Sequence, residues 1–149
     1  MSRLIDKLTA SRFRGAAAYL TTAVRVVTGA FFVAVSTGKF VDHMQEAIDF
    51  ERYGVPVPDT AVYVVGTVEL VGGLLLVVGL FTRVAALFLA ADMVGAIATA
   101  GVMEGGSFNL GVAPALLVAM LFLLWAGPGV LALDAKLGGR DGARPALPD

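Results

Sequence analysis

Ionisable side chains interrupt the hydrophobic segments of this sequence at four positions. The first segment contains Arg25 and, near its end, Lys39; the second contains Glu69 and the third Asp92. An ionisable group at bilayer depth is costly, so it faces the interior of a helix bundle and marks either a functional site or an internal ion pair. Such groups can relay protons, hold the polar part of a ligand, or only keep the helices in register.

The segments that carry these groups are long enough to cross a membrane. Hydrophobic residues make up 58% of the 149 residues and charged residues 15%, whereas about a quarter of a soluble domain is charged. Each apolar run approaches the roughly 20 residues that a transmembrane helix needs, and such runs are helical because lipid satisfies no backbone polar group. The sequence therefore predicts an all-α protein, a four-helix transmembrane bundle with spans at about 19–40, 61–81, 84–103 and 110–133.

Basic residues predict the orientation of the bundle. They concentrate before the first span, at Arg83 between spans two and three, and after the fourth span, so both termini are expected in the cytoplasm. Residues 1–18 form a basic N-terminal segment in this interpretation, residues 19–133 the transmembrane domain, and residues 134–149 a flexible cytoplasmic tail. In the first outer loop the apolar residues recur at helical spacing, which predicts a short surface helix or a bent extension of the first span.

The polar residues of the first span share one helical face. Arg25, Ser36, Lys39 and His43 lie at three- and four-residue steps that also include Gly29 and Phe32. Helical side chains lean toward the N-terminus of their own helix, and spans two and three run in opposite directions. On that basis Lys39 is expected to pair with Glu69 and Arg25 with Asp92, with exchanged partners as the alternative.

The third span has a small-residue face beside its carboxylate. Gly95, Ala96 and Thr99 follow Asp92 at helical spacing, which is typical of close helix packing and less often of a ligand cleft. The predicted intramembrane polar seam is therefore Arg25, Ser36, Lys39, Glu69 and Asp92, and the residues expected near a ligand are His43 and Thr99. The alternative is structural, since buried ion pairs can serve only to set the topology of a bundle.

Composition excludes several kinds of chemistry. Without cysteine, the chain has no disulfide, iron–sulfur ligand or thiolate nucleophile, and a single histidine, His43, cannot supply two axial ligands to haem. The net charge of −1 offers no electrostatic footprint for nucleic acid. Neither catalytic nor metal-binding residues can be assembled from the sequence, so we expect no catalysis by this chain alone and no evident cofactor motif.

Several short motifs resemble those of the DoxX family of small four-helix bacterial membrane proteins. After Arg25, which lies early in the first span, they are TGAFF at 28–32, GKF at 38–40, GVPVP at 54–58, VELVGGLLL at 68–76 and GLFTR at 79–83. The resemblance covers about residues 20–133. It implies a multi-pass protein of the bacterial cytoplasmic (inner) membrane, and it matches Arg25, Lys39, Glu69 and Arg83 to recurring polar residues of the family.

The functional expectation follows mainly from this resemblance. The family is named after a subunit associated with a respiratory terminal oxidase, and its relatives include the membrane subunit of a thiosulfate:quinone oxidoreductase. It implies a membrane subunit or accessory protein of a redox or respiratory assembly, with quinone as the candidate ligand. Lipid and either another membrane protein or further copies of the chain are the expected partners. A transporter or channel for protons or small solutes is the first alternative, and a structural partner that stabilises another membrane protein is the second.

Overall fold

The computed structural model describes residues 9–105 and 108–134, and this part of the chain is helical with no β-strand. The predicted all-α class is confirmed. Residues 1–8 of the predicted basic segment and residues 135–149 of the predicted tail lie outside the described residues. Within these described ranges the α-helices are α1 (Ala16–Val41), α2 (His43–Arg52), α3 (Pro58–Val78), α4 (Thr82–Ala96) and α5 (Ala113–Ala126).

Three of the helical segments are long and apolar enough to span a membrane. They are Ala16–Val41, Pro58–Val78 and Thr82–Gly101, the last including a π-helical turn, Ile97–Gly101, that continues α4. The fourth apolar segment, Leu110–Ala126, is shorter and begins with a second π-helical turn. It ends at Ala126 rather than at residue 133, because Gly127 has a φ of 87° and Pro128 follows it.

A separate short helix, α2, lies between α1 and α3. Of the two predicted arrangements, a short surface helix or a bent extension of the first span, the structure has the separate helix. The break between α1 and α2 falls at Asp42, whose φ of −112° and ψ of 40° are not helical. Helix α2 is amphipathic and leads into a turn around Gly54, after which α3 begins at Pro58, where proline is well tolerated. Below, the end of the bundle next to α2 is called the α2 end, and the opposite end the Asp134 end.

Helices α1 and α3 pack against each other more closely than side chains would allow. The crossing point is at Gly29 and Gly73, where a Cβ atom added to Gly73 would lie 2.7 Å from the Gly29 carbonyl oxygen. Small residues permit such an approach between membrane helices. Large buried apolar side chains from all four apolar helical segments pack together in the bundle. Phe32 lies near the middle of α1, and the half of the bundle toward the Asp134 end is filled by Leu76, Leu89, Met120 and Leu123.

The chain after α5 folds back onto the turn between α3 and α4. The Asp134 carboxylate accepts hydrogen bonds from the backbone N–H groups of Phe81 (2.7 Å) and Thr82 (2.9 Å). The Asp134 N–H in turn donates to the Gly79 carbonyl at 2.9 Å. Because the first N–H groups of a helix have no partner within it, Asp134 caps α4 from a distant part of the chain.

Candidate functional site

The polar face of α1 turns into the bundle. Arg25, Ser36 and Lys39 are all buried, at 1%, 0% and 7% exposure, together with Gly29 and Phe32 of the same face. The inward orientation predicted from the spacing is therefore confirmed. Ser36 donates to the Val33 carbonyl at 2.9 Å, so its hydroxyl is used within its own helix.

Lys39 and Glu69 form an ion pair between α1 and α3. Lys39 Nζ lies 2.9 Å from Glu69 Oε2, and the two side chains are only 9% and 5% exposed. This is the predicted pairing, and it is confirmed. The direction of helical side chains explains the pairing, because each points toward the N-terminus of its own helix. Lys39 therefore points away from the α2 end, and Glu69, on the antiparallel helix, points toward that end. An ion pair this deeply buried is costly to break, because the remaining charge would have no partner.

The predicted pairing of Arg25 with Asp92 is wrong. Arg25 donates instead to backbone carbonyls, from Nη1 to Leu76 at 2.5 Å and Val77 at 3.2 Å and from Nη2 to Leu131 at 3.3 Å. The lean of Arg25 itself, toward the start of α1, carries its guanidinium away from Asp92 and toward the end of α3. The last carbonyls of that helix lack N–H partners within it, so a guanidinium is well placed there.

Asp92 joins the other carboxylate of the bundle. Its carboxyl group is within hydrogen-bonding reach of Glu69. Within the described part of the chain, Asp92 Oδ2 is buried and has no conventional hydrogen-bond donor. Two carboxyl groups hydrogen-bond to each other only when they share a proton, because an ionised carboxylate is only an acceptor. Lys39, Glu69 and Asp92 therefore form one cluster at the middle of the bundle.

A cavity of about 520 Å³ opens beside this cluster. Its walls are mainly apolar and include Phe31, Phe32, Val35, Val65, Met93 and Leu116. Its polar lining residues are Lys39, Glu46, Asp49, Tyr53, Glu69, Asp92 and Thr99. An apolar cleft with a few convergent polar groups is the usual form of a small-molecule site.

Thr99 and His43, the two residues expected near a ligand, are placed differently. Thr99 lines the cavity and donates to the Gly95 carbonyl at 2.8 Å, within the π-helical turn that follows α4. His43 is not among the lining residues; its Nε2 lies 2.7 Å from Asp59 Oδ1 and its ring stacks on Tyr63 at 3.9 Å. His43 therefore holds the start of α2 against the start of α3.

Helix α2 covers the cavity, which sequence reasoning missed. The predicted surface helix gave Glu46, Asp49 and Tyr53 no expected place in a site, yet all three line the cavity. The Tyr53 hydroxyl donates to Glu104 Oε2 at 3.3 Å and so ties α2 to the end of the third span. Burial, followed by the negative charge of Glu104, raises the pKa of Tyr53. The amphipathic pattern of α2 was the available signal, because its polar face had to meet either water or the bundle.

Two further elements of the structure left no usable sequence signal. The π-helical turn Ile97–Gly101 borders the cavity, and π-helical turns are frequent at functional sites. At the Asp134 end, Arg83 donates to the carbonyls of Leu124 and Trp125, and so binds the start of α4 to the end of α5. Among the described residues, no group of three or more His, Asp or Glu side chains could hold a metal ion.

These features define a helical integral membrane protein with an internal cavity that is mainly apolar and carries a few polar groups. The sequence pattern of the DoxX family matches residues 20–103, more than half of the chain. The chain belongs to the DoxX family. Membership, together with the three apolar helices, confirms a membrane protein in contact with lipid and agrees with the bacterial cytoplasmic membrane.

Three bacterial relatives cover most of the chain. The uncharacterized membrane protein Rv3486 of Mycobacterium tuberculosis is 37% identical over 131 residues, which cover 78% of this chain and 80% of the relative. An uncharacterized protein of Haemophilus influenzae is 34% identical over 124 residues, covering 79% and 90%. A Bacillus subtilis protein named "Putative oxidoreductase CatD" is 33% identical over 115 residues, covering 76% and 84%. No solved structure matches the chain significantly.

Proposed function

We propose that the chain is a membrane subunit or accessory protein of a redox assembly and that it holds a quinone in the cavity beside Lys39, Glu69 and Asp92. The observation that carries the proposal is the combination of an apolar cavity of about 520 Å³ with one buried cation and two buried carboxyl groups. The printed name of the Bacillus subtilis relative, "Putative oxidoreductase CatD", supports the redox part.

The residues that line the cavity suit a quinone head group and the start of its tail. A quinone carries two electrons and two protons between its oxidised and reduced forms. The Lys39 ammonium has three donors, of which Glu69 takes one, so it can also donate to a quinone carbonyl. Asp92, whose Oδ2 lacks a donor, can accept from a quinol hydroxyl or donate when protonated. The aromatic and aliphatic walls exclude water around an apolar ring and tail.

Electrons would have to come from or go to another protein. The chain has no cysteine and no cofactor motif, so it supplies position and protons rather than electron transfer. A membrane-protein partner is therefore part of the proposal, and further copies of the chain are an alternative partner. Copurification from native membranes in a mild detergent, followed by mass spectrometry, tests this part: a stoichiometric redox protein supports it, and recovery of the chain alone contradicts it.

A cavity-filling substitution tests the ligand. Gly95 lines the cavity, and a Cβ atom there meets nothing within 4 Å, so Gly95→Leu fills the cavity without a backbone clash. Gly111 has equally open surroundings but does not line the cavity, which makes Gly111→Leu the matched control. The probe is decylubiquinone, a short-tailed benzoquinone, added to the protein in nanodiscs and quantified after affinity capture.

We expect the wild type and Gly111→Leu to retain one decylubiquinone per chain. Gly95→Leu should weaken retention at least about tenfold, equivalent to about 1.4 kcal/mol, because its side chain occupies the same space. Wild type that retains no more quinone than empty nanodiscs would contradict the proposal. Equal retention by wild type and Gly95→Leu would place any bound quinone outside this cavity.

A proton or small-solute transporter is the second candidate, favoured by the placement of Glu69 and Asp92 near the middle of their spans. Proteoliposomes that contain only this protein separate the two: a flux lost in Glu69→Gln supports transport, and quinone retention without flux supports the redox proposal. If Glu69→Gln alters neither flux nor quinone retention nor partner assembly, the remaining alternative is a structural partner of another membrane protein.

A further inference from the structure

The cavity connects the mid-bundle carboxyl groups to one end of the molecule. Its lining runs from Glu69 and Asp92 to Glu46 and Asp49 of α2, the helix that covers the α2 end. Glu46 is close enough for its charge to act on Glu69. Asp49 is partly exposed, since its side chain also accepts hydrogen bonds at the surface from Gln45 and Arg52. Protonatable groups thus follow one another from the middle of the bundle to the α2 end.

The opposite direction is closed by apolar packing. Leu76, Leu89, Met120 and Leu123 lie between the carboxyl groups and the Asp134 end, and each is fully buried. The backbones of α1 and α3 meet beside this layer, where neither helix has a side chain to leave a gap.

A buried cation lies beyond the apolar layer. The Arg25 guanidinium is bound to the carbonyls at the end of α3, and it is 1% exposed. A fixed positive charge of this kind raises the energy of a proton that approaches from the Asp134 end. The Asp134 carboxylate is near enough to offset part of this charge, so the apolar packing carries most of the closure.

We infer that the carboxyl pair Glu69–Asp92 exchanges a proton with water at the α2 end of the bundle and not with water at the Asp134 end. In the release direction, the proton leaves the pair for water in the cavity, passes to the carboxylate of Glu46 or Asp49, and then enters the solvent. No bond other than O–H bonds is made or broken. Uptake is the reverse sequence.

Every element around the pair contributes to its electrostatic surroundings. Helix α1 presents Lys39, α2 presents Glu46 and Asp49, and Tyr53 follows α2 directly. Apart from the pair itself, the cavity lining from α3 and α4 is apolar, the turn after α4 adds the hydroxyl of Thr99, and α5 adds the apolar Leu116. Lys39 attracts the shared negative charge, and the carboxylates of α2 offer acceptors for the proton. This inference goes beyond the proposed function, because a one-sided proton site serves a quinone or a transported proton alike.

The test follows the protonation of the pair from each side of a membrane. Dicyclohexylcarbodiimide dissolves in the bilayer and reacts with protonated carboxyl groups, and peptide mass spectrometry locates the labelled residue. The chain has no cysteine, so a single Thr60→Cys substitution, at an exposed position in the first turn of α3 at the α2 end, reports which way the vesicles are oriented when it is read with an impermeant maleimide. The buffer pH is then varied on one side at a time, over the range in which the protein stays folded.

We expect labelling of Glu69 or Asp92 to decrease several-fold when the α2 side is made alkaline and to stay constant when only the Asp134 side is changed. Labelling that follows the Asp134 side, both sides or neither side would overturn the inference. Because no quinone is present in this experiment, its failure is distinguishable from failure of the quinone proposal.

Variants of α2 test the route itself. The double substitution Glu46→Gln and Asp49→Asn removes the two carboxylates of the route, so the labelling response to a pH jump on the α2 side should slow several-fold. Glu51→Gln on the same helix is the matched control, because Glu51 is exposed and does not line the cavity. Equal response times in the double variant and the control would show that the proton takes another way, and would overturn this route.

Discussion

The ion pair between Lys39 and Glu69 predicts an unequal response to loss of its two partners. We consider Lys39→Met and Glu69→Met, which introduce the same apolar side chain. Removing one partner from a buried ion pair typically lowers the free energy of unfolding by about 3–5 kcal/mol, because an unpaired charge is left behind. Lys39→Met should cost this amount, since Lys39 is the one cation among the described residues that line the cavity.

Glu69→Met should cost less, because Asp92 can replace Glu69. Asp92 belongs to the same cluster, its Oδ2 has no hydrogen-bond donor, and Lys39 is near enough for its charge to act on it. With Lys39 re-paired to Asp92, we expect the cost to fall to about 1–2 kcal/mol, close to that of an exchanged hydrogen bond. The difference between the two variants is then about 2 kcal/mol, or roughly 4–8 °C in Tm for a chain of this size.

Reversible denaturation in mixed detergent micelles measures these free energies. The variant Glu69→Met combined with Asp92→Asn removes the replacement partner, and its cost should rise to that of Lys39→Met. Arg52→Met is a matched control, since Arg52 pairs with Asp49 at the surface and should matter by less than about 0.5 kcal/mol. Equal losses of stability in Lys39→Met and Glu69→Met, or no further loss on adding Asp92→Asn, would show that Asp92 does not replace Glu69 as the partner of Lys39.

Three other predictions concern the cap, the helix crossing and the covering helix. Asp134→Ala should lower the free energy of unfolding by about 1–3 kcal/mol, because the buried N–H group of Thr82 and the partly buried N–H group of Phe81 lose their acceptor. Gly73→Ala should destabilise by about 1–3 kcal/mol, since the new Cβ would overlap the Gly29 carbonyl, and thermal unfolding in detergent measures both effects. Glu104→Gln should lower the raised pKa of Tyr53 by removing a negative charge beside it, observed as the tyrosinate absorbance that Tyr53→Phe abolishes.

Each of these predictions has a neighbouring control. Leu133→Ala changes an exposed side chain next to the cap, and Gly95→Ala adds a Cβ atom where nothing lies within 4 Å. Both should leave the unfolding temperature almost unchanged. A control as damaging as its partner substitution would show that the proposed cap or crossing is not the cause. If Glu104→Gln leaves the titration of Tyr53 unchanged, the raised pKa comes from burial and from the charges of Asp49 and Glu46 instead.

Much of the architecture follows from local sequence. The length and apolarity of the spans predict helices because lipid leaves the backbone no other way to satisfy its polar groups. The spacing of Arg25, Ser36 and Lys39 predicts one buried face, because a helix repeats every 3.6 residues whatever its neighbours are. The pairing of Lys39 with Glu69 was also predictable, since both side chains lean toward each other along antiparallel helices.

The contents of the site depend on tertiary structure. Asp92 lies beside Glu69 rather than Arg25, and Arg25 binds carbonyls at the end of α3. Which groups meet depends both on the direction of each helical side chain and on the level of its residue in the bundle, for all three helices at once. The covering by α2 and the cap from Asp134 bring together residues far apart in the chain, which no local periodicity encodes. The sequence by itself thus determined that the bundle has a buried polar face. The packing of the helices decides which charges meet, which end of the cavity carries carboxylates and which end is closed. These features depend on distances between helices, whereas the sequence pattern encodes only positions along each helix.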